Sequence, residues 1–193
     1  MSGKYVSTID ATGLPGNAET KRYINILLVR YPDICSILCR LLSGGYYNHA
    51  SIGVSDSDGT FYSYVITGFR IEIPKKHPTF KRREIPCRLY RLEVSEEIYD
   101  VVKATLEDHT RQRHKHKYSY LGMFLCFMRI VYISQNRYFC SQFVSEVLDQ
   151  VRAVPLSKHS ALYLPDDFIK MKELDLCYTG YLSQLVQTER GNL

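Results

Sequence analysis

Two short blocks of the sequence carry side chains able to do covalent chemistry. In Arg137-Tyr-Phe-Cys-Ser-Gln-Phe-Val-Ser-Glu-Val-Leu148, apolar Phe143, Val144, Val147, Leu148 and Val151 recur at spacings of three and four. That period predicts a helix with one apolar face, and Cys140 falls at its start, on the inward side. Free backbone N–H groups and the helix dipole stabilise an anion at such a place. A thiol there has a lowered pKa and becomes a usable nucleophile, with its own N–H as a donor to an oxyanion. The second block, Tyr47-Asn-His-Ala-Ser-Ile-Gly-Val54, sets His49 at the start of a predicted strand. His77, His109, His114, His116 and His159 fall in segments read as loops or polar surface, which leaves His49 as the base held on a rigid element. Together Cys140 and His49 make a candidate catalytic pair, and the expected activity is a cysteine-dependent hydrolase or acyl-transfer enzyme. The plainer alternative is a buried thiol filling space beside a structural histidine.

The elements that must position this pair are legible in part. Residues 1–20 show no sustained period and read as an extended arm. Ile24–Arg30 is a nearly continuous apolar run, the pattern of a buried strand, and a helix with Cys35 and Cys39 follows until Gly44-Gly45. His49–Val54 and Thr60–Ile66 flank a turn at Ser55–Gly59 and predict a hairpin. Gly68–Ile73 and Pro86–Val94 are further strands, separated by a basic loop, Lys75–Arg83. Ser95 is the expected N-cap of a helix whose apolar stripe is Ile98, Val101, Val102 and Leu106. The polar stretch His109–Lys117 reads as a loop or frayed helix end, and Tyr118–Ile133 as a buried helix. A short helix ending near Met171 and a closing strand, Leu176–Leu182, complete a single α+β domain over residues 1–193, an antiparallel sheet or barrel packed against the cysteine-bearing helix.

Composition narrows the function classes. Hydrophobic content of 45% and charged content of 23% are ordinary for a globular domain with a core. The net charge of +5 is concentrated at Lys75, Lys76, Lys81, Arg82 and Arg83 and at Arg111–Lys117. Neither patch is interleaved with stacking aromatics, so solvated faces are expected in preference to a nucleic-acid interface. Contact with a membrane surface has no support beyond those charges. The six cysteines are scattered, and Cys35 and Cys39 lack the second pair that a tetrahedral zinc site needs. Neither metal nor cofactor is required for covalent acyl transfer. The run Tyr118–Ile133 is short for a bilayer crossing and carries Arg129. The first residues lack the basic-then-apolar pattern of a signal peptide, so a cytoplasmic location with free thiols is expected.

The two chemical blocks, with Phe61-Tyr-Ser-Tyr64, Leu164-Pro-Asp-Asp167 and Tyr178-Thr-Gly180, resemble the circularly permuted branch of the papain-like superfamily. These are the YaeF/YiiX-type amidases and their NlpC-type relatives, and lecithin retinol acyltransferase is a more distant cousin. The order of His49 before Cys140 is what a permuted topology implies. On that resemblance Cys140 is the nucleophile and His49 the base of an amidase or peptidase. A small peptide, an amino-acid amide or an acyl lipid is then the substrate. Lipid or acyl-group transfer by the same fold, or a binding protein without activity, are the alternatives. The family places a third polar residue on the strand after the histidine strand. This chain offers Tyr62, Ser63 and Tyr64 there, with Glu72 one strand further, and a one-residue slip of the hairpin changes which faces His49.

Overall fold

The run Ile24–Val29 is apolar on both faces because the strand it forms is covered on both. In the computed structural model, which describes residues 21–32, 42, 44–55, 59–74 and 84–188, β1 (Arg22–Val29) lies in the middle of a six-stranded antiparallel sheet. Its neighbours are β2 (His49–Val54) and β5 (Pro86–Val94), and the strand order is β4-β3-β2-β1-β5-β8. β3 (Phe61–Val65) and β4 (Gly68–Glu72) form one end, and β8 (Asp175–Tyr181) the other. Register pairs Val29 with His49 and Ile24 with Val54. Ile24, Ile26 and Leu28 face one core with Ala50, Ile52 and Tyr64, while Leu27 and Val29 face a second with Cys87 and Leu89.

Two helices cover the first face. Helix α1 (Glu96–Arg111) starts at Ser95, whose hydroxyl accepts from the Ile98 N–H. Glu96 and Glu97 occupy its first turn, where the dipole favours carboxylates. Glu96 also takes both hydrogen bonds of Arg22, at 2.7 and 2.8 Å, which ties the helix to β1. Helix α3 (Cys140–Gln150) packs on β2 and β3. Between them α2 (Tyr120–Phe127) is flanked by β6 (Lys117–Tyr118) and β7 (Arg137–Tyr138), a short parallel pair. The final helix α4 (Leu182–Thr188) buries Leu182 and Leu185 on the second face.

The expected strands and the Ser95 cap are present, and five expectations need correction. Helix α1 buries Tyr99, Val102 and Leu106, while Val101 points to solvent. The apolar stripe runs through 99, 102 and 106, three to four residues apart, and Val101 lies one residue off it. Helix α3 is buried nearly all round, including Ser141, Gln142 and Ser145, because the segment around Ser160 covers its polar side. The stretch 118–133 is no buried helix. Only Tyr120–Phe127 is helical, and the residues after it lie at the surface. His109 falls within α1, and His116 is buried. The predicted arm 1–20, Cys35 and Cys39, the centre of the hairpin turn and the loop 75–83, with His77, lie outside the described residues.

His109 and His116 stack with ring centroids 4.2 Å apart in a cluster with Tyr64, Phe69 and Phe143. Tyr64 and the His109 Nδ1 share a hydrogen bond of 3.0 Å. Burial, and then the nearby His116, push the His109 pKa down from 6.5 to about 4, and burial lowers that of His116 also. Protons therefore bind the unfolded chain in preference. Stability from this pair is complete above pH 6.5 and is lost as pH falls toward about 4. Thermal unfolding midpoints should fall across that window, and the double variant His109→Gln/His116→Phe should show a shallower slope.

Candidate active site

Cys140 and His49 come together although ninety residues lie between them in sequence. Phe139 is the N-cap of α3 and supplies no side-chain hydrogen bond, so no capping side chain occupies the first-turn N–H groups. The first backbone bond of the helix runs from the Phe143 N–H to the Phe139 carbonyl. The Cys140 sulfur sits within hydrogen-bonding reach of His49 and of the Ala50 and Ser141 N–H groups. His49 is 6% exposed and Cys140 7%, so this cluster is almost withdrawn from water.

Behind the imidazole stands Glu72. Its carboxylate oxygens lie 2.9 and 3.0 Å from His49 Nε2, which leaves Nδ1 as the ring nitrogen for the sulfur. The register explains how a residue two strands away gets there. Ile52 pairs with Tyr62, and Phe61 with Glu72, so alternation puts His49, Phe61 and Glu72 on one face of the sheet. Of the β3 residues that the sequence offered for this role, Ser63 donates to the Ala50 carbonyl at 2.6 Å. Tyr64 is committed to His109, and Tyr62 stacks on Phe69.

The electrostatics follow from this arrangement. Burial works against a charged His49, but the Glu72 carboxylate and the Cys140 sulfur outweigh it and hold the ring pKa above its ordinary value. For Cys140, burial works against the thiolate. The His49 ring and the Ala50 and Ser141 N–H groups overcome that and bring the thiol below its usual range. Each group therefore favours the charge of the other, thiolate beside imidazolium, with the Glu72 carboxylate behind the ring. Cys87 and Cys126 lack such partners, and burial pushes them up to about 12 and about 11.

A small cleft opens beside the sulfur. Its lining combines Cys140 and Ser141 with Tyr47, Met123, Phe127, Phe139 and Leu164. The loop carrying His49 is braced on two sides. Asn48 exchanges two hydrogen bonds of 2.8 Å with the Tyr31 backbone, and Asp166 accepts from the Tyr46 and Tyr47 N–H groups. Ser141 and Ser145 anchor α3 through their hydroxyls to the carbonyls of Tyr163 and Ser160. The sequence reading named the Asn48 and Asp166 motifs without their roles. Tyr31 carried no signal in the sequence, yet its backbone holds Asn48 and its ring lies 5.4 Å from that of His49. No group of three metal-ligating side chains occurs among the described residues. Neither does a helix long and apolar enough to cross a membrane.

No protein-family model matches the chain, and no curated protein matches it.

Iodoacetamide in mildly acidic buffer should label Cys140 well ahead of Cys87, Cys126 and Cys177, as read by peptide mass spectrometry. Glu72→Gln should slow that labelling and move its onset to higher pH, because the imidazolium loses the carboxylate that holds its proton. Equal labelling of the four thiols would contradict the geometry described.

Proposed function

We propose that this chain is a cysteine hydrolase of the permuted papain-like type, acting on an amide-bonded or acyl-linked small substrate. The observation that carries the reading is the thiol–imidazole–carboxylate line Cys140, His49 and Glu72 at the edge of a cleft. The histidine strand precedes the cysteine helix in the chain, as the permuted resemblance implies.

In the reaction, the Cys140 thiolate attacks the substrate carbonyl carbon and forms a tetrahedral oxyanion. Free N–H groups of the α3 first turn, that of Cys140 among them, stabilise the negative oxygen. His49 donates its proton to the leaving amine or alcohol as the C–N or C–O bond breaks, leaving an acyl-enzyme. Neutral His49 then takes a proton from water, whose oxygen attacks the thioester. Carboxylic acid product departs, and the thiolate–imidazolium pair is restored. Glu72 keeps the ring oriented and stabilises its charge without itself taking the proton.

A second reading, transfer of the acyl group to an acceptor other than water, is favoured by the apolar cleft walls Met123, Phe127, Phe139 and Leu164. These suit a hydrocarbon chain, and the two reactions share every step up to the acyl-enzyme. Both suit a reducing compartment such as the cytoplasm, where Cys140 stays free. A binding protein without activity has no evident use for a buried charged trio, which costs folding free energy to assemble.

The test is turnover of a library of fluorogenic amides and esters. Cys140→Ala should abolish activity and His49→Ala should reduce it by about 10²–10⁴-fold. Mass spectrometry should find an acyl adduct on Cys140 in the wild type. Turnover that survives Cys140→Ala, or a full library without any adduct, would refute the hydrolase reading.

A further inference from the structure

Helix α2 has two unlike sides. Gly122 and Cys126 turn inward, and Met123 and Phe127 line the cleft beside Cys140. On the other side Tyr120, Leu121, Phe124 and Met128 are each more than half exposed. The loop that follows adds Ile130, Val131 and Ile133, the last 63% exposed. Single exposed apolar side chains are commonplace, but seven within fourteen residues form a patch that something must cover.

The patch is held as one protrusion. Parallel pairing of Lys117 with Arg137 and of Tyr118 with Tyr138 ties the two ends of the excursion together. Tyr120 donates its hydroxyl hydrogen to the Ile66 carbonyl at 2.8 Å, and exposed Ile66 extends the apolar surface onto the β3–β4 turn. Charge then says what the surface fits. From His109 to Phe139 the chain carries Arg111, Arg113, Lys115, Lys117, Arg129 and Arg137 and no Asp or Glu. All six cations are exposed, and Arg111 is paired with Asp108 at 3.2 Å. A second copy of this chain would set these cations against their own equivalents, since a two-fold interface pairs a patch with itself. An anionic bilayer meets both requirements: the apolar side chains enter the acyl boundary and the cations sit among lipid phosphates.

We infer that the outer side of α2 and the 128–133 loop form a docking surface for an anionic lipid bilayer. Docking sets the cleft within about one helix diameter, ~10 Å, of the lipid, because α2 alone separates them. None of the docking side chains lines the cleft, so the membrane contact stands apart from the chemistry proposed for Cys140. Where that chemistry holds, docking deepens it, since an acyl lipid is then the substrate class nearest the sulfur.

Co-sedimentation of the full chain with phosphatidylcholine vesicles, and with mixed phosphatidylglycerol–phosphatidylcholine vesicles, tests the inference. Wild type and Cys140→Ala should bind the mixed vesicles alike, bind pure phosphatidylcholine far less, and release on addition of salt. Phe124→Glu/Ile133→Glu, at exposed sites, should lose binding while keeping the wild-type thermal unfolding midpoint. Lys117→Gln/Arg129→Gln/Arg137→Gln should weaken it on the order of 100-fold. No binding of wild type to the mixed vesicles overturns the inference, as does binding unaffected by salt and by the acidic double variant. Self-association abolished by Phe124→Glu/Ile133→Glu, without vesicle binding, would assign the patch to a second copy instead. Vesicle binding in a protein that hydrolyses nothing would leave the docking surface intact and remove only the hydrolase reading.

Discussion

A charged imidazole withdrawn from water is stable only when opposite charge stands on it, and that requirement governs the centre of this molecule. His49 is 6% exposed, with Glu72 at one ring nitrogen and the Cys140 sulfur on the other side, and both favour its charged form. Removing one partner of such a buried set typically costs about 3–5 kcal/mol, because the survivor keeps its charge without compensation. Three elements must therefore arrive in register. β2 supplies the ring, β4 the carboxylate, and the start of α3 the sulfur.

Much of the surrounding structure serves that alignment. Helix α3 is buried on almost every side, which is unusual for a helix that carries Ser141, Gln142 and Ser145. The cost is met in part: Ser141 and Ser145 donate to carbonyls of the Ser160–Tyr163 segment, while the buried Gln142 Oε1 has no partner among the described residues. Asn48 and Asp166 fix the approach to His49 through backbone groups of Tyr31, Tyr46 and Tyr47. An aromatic cluster around Phe143 and Tyr64 then locks the helix to β3 and α1. The sulfur, the ring and the cleft mouth are thereby placed by packing at several independent points.

The same architecture explains where patterns of apolar residues misled. Tyr118–Ile133 has the composition of a core helix, and a core helix was expected. Tertiary structure divides the run instead: Gly122 and Cys126 go inward, Met123 and Phe127 wall the cleft, and Leu121, Phe124 and Ile133 face outward. Hydropathy records how apolar a residue is, and in this segment it says nothing about which neighbour will cover it. His109 and His116 show the converse. A polar, basic context predicted surface, yet aromatic neighbours from β3 and β4 bury His116 and half-bury His109.

From residue order alone came the strands β1 to β5, the Ser95 cap, the placement of Cys140 at a helix start and of His49 at a strand start. Each depends on interactions within a few positions: alternation, helical period, capping and turn chemistry. The group behind the imidazole was narrowed to Tyr62, Ser63, Tyr64 or Glu72 and could not be resolved further. Which of these reaches His49 depends on the hairpin register, a property of strands already paired. The meeting of sulfur with imidazole, the depth of their burial and the outward turn of α2 were likewise settled only when distant segments packed, because burial and charge pairing belong to neighbours in space.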